Sequence, residues 1–430
     1  MRGRARIVLL IALSALAVPG LAQAAERTLT FTTGPLVVGP HGVLQGVRAV
    51  DSPKVDGYVV GMSADVVDAA GNVVPDEAVM LHHVVFAKVF APDMTCTSFR
   101  GYDGQTTGFP AERFFGRGEE HMSLDLPAGY GYPNRGTDVW GLIYMLMNHH
   151  RQTDTVFIRY SVRYVTGETL APTRPIWLDV RNCLADPIYN VPGTGGRGST
   201  HTRTFDFRMP ESGRLLGGGG HLHGGGIKLD LANATCGTHV FSFLPTWGGV
   251  EPEPLMHESG PTKMSSFRTA AGVPVATGDT LRLTSVYDNS RPHVRVMGIA
   301  IVYFSPAPVT GCHPTPPLEV DLGNPGPPPA VTLPLLRQPR GALARNIGGT
   351  WVGDYRYGHE RVSLRRGTRF RWRFVGRELH DVTLASGPVG FASPSLRRGS
   401  YSYRFSRPGE YRLFCSLHPT RMTQIVRVRR

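Results

Sequence analysis

Two histidines lie one residue apart inside a run of glycines, GGGGHLHGGG, at residues 217–226. In an extended strand, residues i and i+2 point to the same face, so His221 and His223 can bind one metal ion together while Leu222 faces away. Glycine on both sides permits tight turns and predicts open space for a ligand beside the metal. The alternative is a glycine-rich turn in which the two histidines are incidental.

A second group of metal-binding residue types lies near the C-terminus. Cys415, His418 and Met422 form a Cys-x2-His-x3-Met pattern, and His380 lies well upstream. Two imidazoles, one thiolate and a weak thioether suit a single copper ion that alternates between Cu(I) and Cu(II). The arrangement resembles the cupredoxins of the plastocyanin and pseudoazurin kind, which implies type 1 copper and electron transfer. The alternatives are a cupredoxin fold without its metal, and Cys415 as a small buried residue.

Three further features carry metal-binding side chains. His82 and His83 are adjacent in EAVMLHHVVF, His149 and His150 are adjacent in MLMNHHRQTD, and Met297 lies in an aliphatic run. Neighbouring residues on a regular strand point to opposite faces, so His82 and His83 can share a metal only at a bend or a strand end. Met297 has an alternative interpretation as a gap-filling core residue.

The order His-His, His, His-x-His and Met over residues 30–310 resembles the copper type II, ascorbate-dependent monooxygenases, the family of the peptidylglycine- and dopamine-hydroxylating enzymes. The resemblance implies an electron-transfer copper on a first unit and an oxygen-activating copper on a second, with ascorbate or another reductant. The implied ligands are His82, His83 and His149 for the first ion, and His221, His223 and Met297 for the second. His149 is preferred to His150 because of the Leu-x-x-His context that starts at Leu146.

One position departs from that family. The peptide-amidating members carry an arginine two residues before the His-x-His, where this chain has Gly219. A bidentate clamp for a substrate carboxylate is therefore missing unless Arg214 or another residue reaches in. This counts against a C-terminal glycine peptide as the substrate, and the sequence leaves the substrate open.

Short β-type runs, separated by turns rich in the 52 glycines and 35 prolines, carry these residues. No long stretch keeps helical periodicity, which predicts an all-β protein of two tandem β-sandwich, jelly-roll-like domains and a C-terminal cupredoxin Greek-key β-sandwich. The predicted domains are 26–188, 200–312 and 341–430. A flexible linker is predicted around 190–200 and a stiffer, proline-rich linker at 313–340.

The first 24 residues are typical of a secretory signal, with a basic start, an apolar stretch and small residues before Ala25. Export to the periplasm or the cell exterior makes disulfides possible. The economical assignment pairs Cys96 with Cys183 and Cys236 with Cys312, and leaves Cys415 as a functional thiol. The alternative is that one pair is not bonded. No later segment approaches transmembrane length.

The net charge of +13 belongs to the last ninety residues, which hold 18 Arg, no Lys and 5 Asp or Glu. A basic domain of this kind is expected to dock to an acidic partner or surface, and the alternative is that the charge only aids solubility. No nucleic-acid-binding motif accompanies it.

Together these features predict a secreted multicopper protein. The preferred interpretation is an O2-dependent copper monooxygenase that hydroxylates a small molecule or a peptide, with electrons from an external donor relayed through the tethered cupredoxin. One alternative is a non-catalytic copper-binding or electron-transfer protein on an oxygenase-like scaffold. Another is a binding protein on that scaffold.

Overall fold

A computed structural model of the chain describes residues 25–98, 100, 109–248, 258–323 and 336–430. The predicted signal segment 1–24 and residues 324–335 of the predicted linker lie outside these ranges. Within them the chain forms 32 β-strands and no helix, which confirms the all-β prediction. The same ranges contain no helix long and apolar enough to cross a membrane.

The first β-sandwich contains ten strands, namely β1 (Ala25–Val38), β2 (Val43–Val50), β3 (Gly57–Val67), β4 (Val79–Val89), β5 (Ala111–Gly118), β6 (Leu124–Asp125), β7 (Tyr130–Asn134), β8 (Trp140–Asn148), β9 (Asp154–Thr166) and β10 (Ala171–Pro172). One sheet has the order β1-β9-β3-β7-β10 with β6 beside β3, and the other has the order β2-β8-β4-β5. Alternate residues face inward, so that Phe86, Trp140 and Tyr160 are buried between the sheets.

The second β-sandwich contains thirteen strands, namely β11 (Arg174–Asp179), β12 (Tyr189–Val191), β13 (Thr200–Arg208), β14 (Gly213–Leu222), β15 (Gly226–Asn233), β16 (Thr238–Phe243), β17 (Pro245–Thr246), β18 (Lys263–Met264), β19 (Ser266–Val275), β20 (Thr280–Asp288), β21 (His293–Val296), β22 (Gly298–Pro306) and β23 (Glu319–Asp321). Its main sheets have the orders β11-β22-β14-β19-β23 and β13-β20-β15-β16, and β12 pairs with β21.

The strand pairing moves two of the predicted boundaries. Strand β11 falls inside the predicted first domain, 26–188, yet it pairs with β22 of the second sandwich over its whole length. Strand β23 falls inside the predicted linker, 313–340, yet it pairs with β19. Both segments are short, and they are either polar or close to prolines. Their sequences therefore do not show which sandwich contains them, and only their sheet partners do.

The first two sandwiches share one apolar core. Trp177 on β11 and Ile299, Ile301 and Tyr303 on β22 pack into the same buried cluster as the inward residues of the first sandwich. The Tyr303 hydroxyl also donates a hydrogen bond to the carbonyl oxygen of Phe114, at 2.9 Å. The faces that carry the two histidine motifs are therefore held together by packing as well as by the chain.

The C-terminal sandwich contains β24 (Ala344–Arg345), β25 (Gly349–Gly353), β26 (Arg356–Tyr357), β27 (Arg361–Arg365), β28 (Arg369–His380), β29 (Thr383–Ser386), β30 (Leu396–Arg404), β31 (Gly409–Phe414) and β32 (Thr423–Arg429). The sheets have the orders β24-β27-β32-β31-β29 and β26-β25-β28-β30. Along β28, Arg369, Arg371 and Arg373 are exposed while the residues between them are buried. The basic charge therefore includes an exposed arginine row on this sheet.

Arg295, at the end of the second sandwich, connects this unit to the rest of the chain. Its guanidinium lies 2.6 Å from a carboxylate oxygen of Asp186 and 3.5 Å from one of Asp381, which follows β28. The Asn190 side chain and the Gly390 amide make further hydrogen bonds across the same boundary, to the carbonyl oxygens of Ala392 and Pro192 respectively. The C-terminal sandwich is therefore docked against the second one.

The predicted disulfides are confirmed. Cys96 is bonded to Cys183, and Cys236 is bonded to Cys312. Cys415 is free and buried, as predicted. Two disulfides fit a protein of an oxidising, extracytoplasmic compartment.

Candidate metal centres

A β-bulge on β4 brings His82 and His83 to the same region. The register between β4 and β8 shifts between Leu81 and His83, so His82 is the extra residue of the bulge. The two imidazoles are both buried, and their ring centroids are 5.4 Å apart. The structure thus supplies the bend that adjacent histidines need in order to act together.

The His-x-His pair lies at the end of β14. The Nε2 atoms of His221 and His223 are 3.1 Å apart. Two metal–nitrogen bonds of about 2.0 Å at tetrahedral to right angles place their nitrogens about 3 Å apart, so this spacing fits one shared metal ion. Tyr287 holds the pair in place, because its hydroxyl accepts a hydrogen bond from the His223 amide and donates one to the Met297 carbonyl oxygen.

Two adjacent glutamates, which the sequence analysis did not single out, bond to the histidines from the other side. Glu119 Oε1 lies 3.0 Å from His82 Nδ1, and Glu120 Oε2 lies 2.8 Å from His221 Nδ1. A carboxylate that accepts the Nδ1 proton leaves Nε2 free to bind a metal, and it orients the ring. The only hint in the sequence is a pair of acids directly after the strand β5.

The two histidine motifs face each other across the boundary between the sandwiches. The ring centroids of His82 and His223 are 5.1 Å apart. A Cβ on Gly118, which pairs with His83, would lie 2.8 Å from the His221 ring. The two motifs are therefore neighbours, and we call His82, His83, His221 and His223 the imidazole cluster; among the described residues, no three of them have donor nitrogens within 4.8 Å of one another. The resemblance assigns the two motifs to copper ions on different units, but in the structure the motifs are close together.

Charge and burial set the protonation of the cluster. Burial and the nearby His221 lower the pKa of His83 to about 3, which keeps its imidazole neutral. Burial opposes the charged form of His221, but the Glu120 carboxylate outweighs it and raises the pKa of His221. Burial likewise opposes ionisation of Glu120, but His221 outweighs it and lowers the pKa of that carboxyl. Neutral imidazole is the form that binds metals.

His149 follows the end of β8, and its backbone is bonded to Ala78 rather than to His82 or His83. Its amide donates to the Ala78 carbonyl oxygen, four residues along the chain from His82. The side chain of His149 is buried, whereas His150 is exposed and pairs with Asp154 at 3.0 Å. Among the described residues, His82, His83 and His149 do not form a group of donor atoms within 4.8 Å of one another.

Met297 lines a small cavity with His83 and His221. The cavity has a volume of about 50 Å³ and is otherwise lined mostly by apolar groups. It also contains Asp179, which is fully buried, and whose Oδ1 accepts a hydrogen bond from the Arg181 amide. Burial raises the pKa of Asp179 to about 7. Of the second predicted ligand set, His221 and Met297 line this compact, mainly apolar space, whereas His223 lines a different, larger cavity.

The glycines around the His-x-His have a different purpose from the predicted one. A Cβ on Gly219 would lie 2.3 Å from the Met122 sulfur, and a Cβ on Gly220 would lie 2.8 Å from Phe243. Gly224 and Gly225 similarly make room for Glu258 and His293, and Gly225 has a φ of +82°. The expectation of open space at these positions is wrong, because neighbouring side chains fill it. Met122 also covers the position of the missing arginine.

The C-terminal motif forms a compact site. His380 Nδ1 lies 4.0 Å and His418 Nδ1 lies 3.6 Å from Cys415 Sγ. Metal–nitrogen and metal–sulfur bonds of about 2.0 and 2.3 Å at trigonal angles separate their donor atoms by about 3.7 Å, so the spacing fits one metal ion. Met422 is fully buried in the same core, and its carbonyl oxygen accepts the Cys415 amide hydrogen bond.

Burial dominates the electrostatics of this site. Burial and the neighbouring His380 lower the pKa of His418 to about 4. Burial, with the negative charge of Asp381, raises the pKa of the Cys415 thiol. The Asp381 amide donates to Cys415 Sγ at 3.4 Å, which favours the thiolate once a metal replaces the proton.

A cavity of about 320 Å³ separates the two centres. His82 and His223 line one side, and Phe414, Ser416 and Leu417, which flank Cys415, line the other. We call it the interdomain cavity. It places the metal-binding loop of the C-terminal sandwich directly opposite the imidazole cluster.

The Glu120→Gln variant tests the role of the carboxylates. The amide can donate to His221 Nδ1, which would move the ring proton to Nε2 and block metal binding there. We expect copper to bind the cluster about 10- to 100-fold more weakly, measured by chelator competition. Asp76→Asn is the matched control, because Asp76 pairs with the half-exposed His121 instead. Equal affinity in both variants would contradict this role of Glu120.

Comparison with known proteins gives copper-dependent oxygenases as relatives. The chain is 26% identical over 286 residues to the probable copper-dependent oxygenase M1 of Phoma sp., which covers 61% of this chain and 67% of that protein. It is 27% identical over 270 residues to the probable copper-dependent oxygenase clz3 of Cochliobolus lunatus, covering 58% and 77%. No protein-family profile matches the chain.

Among solved structures, a purple cupredoxin from Nitrosopumilus maritimus matches 19% of this chain and 100% of its own, at 23% identity and a TM-score of 0.18. The sequence relatives support copper-oxygenase-like features at a coarse level. The more specific likeness to the peptidylglycine- and dopamine-hydroxylating enzymes remains a resemblance.

Proposed function

We propose that this protein is a copper-dependent monooxygenase that hydroxylates an organic substrate with O2. The observation that supports this most directly is the His221–His223 pair, whose Nε2 atoms are 3.1 Å apart while Glu120 occupies Nδ1 of His221. The similarity to probable copper-dependent oxygenases points to the same metal and reaction class. Copper bound at these residues would supply one-electron redox chemistry and the activation of O2.

In this proposal the residues bind two different copper ions. His221, His223 and Met297 would hold the copper that meets O2, and the small cavity beside them limits access of water. His82 and His83 would hold the electron-transfer copper, and His149, the third ligand that the resemblance implies, does not form a donor group with them in this structure. Glu119 and Glu120 keep the Nδ1 protons in place so that Nε2 faces the metals.

Hydroxylation needs two electrons from outside the substrate. One oxygen atom of O2 enters a C–H bond, and the other leaves as water after accepting two electrons and two protons. The C-terminal site suits a one-electron carrier, and the residues that flank Cys415 line the same interdomain cavity as His82. We infer that electrons from ascorbate or an external donor reach the imidazole cluster through the Cys415 site. The exposed arginine row on β28 is the proposed docking surface for an acidic donor.

The test is a copper count with optical and EPR spectra on the copper-loaded, oxidised protein, followed by ascorbate-dependent O2 uptake. We expect about three Cu(II) ions, one with an intense thiolate band and two with type II signals. His221→Ala should lose one of the two type II signals and the O2 uptake but keep the thiolate band, whereas His121→Ala should change none of these three. One copper with only the thiolate spectrum would leave the non-catalytic electron carrier as the function.

A further inference from the structure

Three methionines lie together on the face of the first sandwich that looks away from its core. Met80 on β4 is directly opposite Met147 on β8, and Met145 lies two residues along β8 on the same face as Met147. The alternate residues of β8, Tyr144 and Leu146, point into the core instead. The local sequence MLMN thus presents its two thioethers on one side.

These methionines form a buried cluster of their own. Their exposed fractions are 5%, 4% and 7% for Met80, Met145 and Met147, and beyond one another they pack against Val43. They are separate from the main aromatic and aliphatic core of the sandwich. We call this group the methionine cluster.

The methionine cluster borders the interdomain cavity. Met145 and Met147 line it together with His82 and His223, opposite the loop that carries Cys415. Thioethers are soft ligands, and they bind Cu(I) in preference to Cu(II).

We propose that Met80, Met145 and Met147 form a Cu(I)-binding site, distinct from the imidazole cluster and from the Cys415 site. Its thioethers hold Cu(I) at the edge of the cavity, beside His82, where the ion can pass to the imidazoles. The site is a place for copper loading, and it does not depend on whether the imidazole cluster activates O2.

The test compares two triple variants of the full-length protein, both in a Cys415→Ser background that removes the thiolate. One replaces Met80, Met145 and Met147 by leucine. The control replaces Met62, Met209 and Met264, which are buried in the two main cores. Leucine conserves volume, so each change is expected to be tolerated by the fold. Anaerobic Cu(I) titration against a chromophoric chelator counts the bound ions.

We expect the cluster variant to bind one Cu(I) fewer than the control and to lose sulfur scattering in its Cu(I) X-ray absorption spectrum, with unchanged Cu(II) EPR signals. Equal Cu(I) counts and equal sulfur scattering would show that the methionines only pack. Absence of the type II EPR signals from the Cys415→Ser parent protein itself would count against the proposed oxygenase sites, not against this one.

A measurement on the native sequence avoids any folding defect. After a first equivalent of Ag(I), a redox-inert analogue of Cu(I), has filled the Cys415 site, a second equivalent should shift three methyl resonances of methyl-labelled methionine together. Single leucine variants at positions 80, 145 and 147 assign them. Shifts confined to other methionines would overturn the proposal.

Discussion

Replacing Cys415 with serine is expected to abolish the intense visible absorption of the copper-loaded protein and its narrow-hyperfine EPR signal. Cys415 is the free cysteine, because the other four are paired in disulfides. A hydroxyl can occupy the same buried space and accept the Asp381 amide hydrogen bond, but it cannot provide the thiolate-to-copper charge transfer. The fold should therefore persist while the spectrum is lost.

Met422→Leu is the companion variant. A thioether is a weak ligand in sites of this kind, so the thiolate band should remain while the reduction potential changes. Persistence of the intense band in Cys415→Ser would show that it arises elsewhere. Loss of the band in Met422→Leu with a native melting curve would give Met422 a larger role than the weak ligand assumed here.

Replacing Arg295 with methionine is expected to undock the C-terminal sandwich. Methionine keeps the unbranched stem but leaves two carboxylates, those of Asp186 and Asp381, buried without their cation. Removal of one partner from a buried ion pair costs about 3–5 kcal/mol. Asp381 also accepts hydrogen bonds from the amide and the hydroxyl of Ser416, next to the thiolate. The effect should therefore reach the C-terminal metal site.

Two measurements follow this change. The midpoint of chemical unfolding should fall, and the radius of gyration from small-angle scattering should rise. Arg282→Met is the control, because Arg282 pairs with Asp206 on an exposed sheet face, where an ion pair contributes little to stability. Transfer of electrons from a reduced C-terminal site to the imidazole cluster should slow only in the Arg295 variant. Equal behaviour of the two variants would contradict a docking role for Arg295.

Local features of the chain were predictable because they depend on backbone geometry over a few residues. Strand alternation places His221 and His223 on one side, and the adjacency of His82 and His83 requires a bend, which the structure provides as a bulge. The Cys-x2-His-x3-Met spacing places three metal-binding residue types on a single loop. The disulfide pairs followed from cysteine order and the oxidising compartment.

The contacts that complete the sites join residues far apart in the chain, and only the packing of whole sheets decides them. Glu120 lies 101 residues from His221, and Arg295 lies 86 residues from Asp381. The sequence also could not assign β11 to the second sandwich, because its partner β22 is more than a hundred residues away. The glycines next to His221 were misinterpreted for the same reason, since the side chains that fill their space come from distant strands. The sequence by itself determined which residue types are available to bind a metal, and tertiary structure decided which of them lie next to one another.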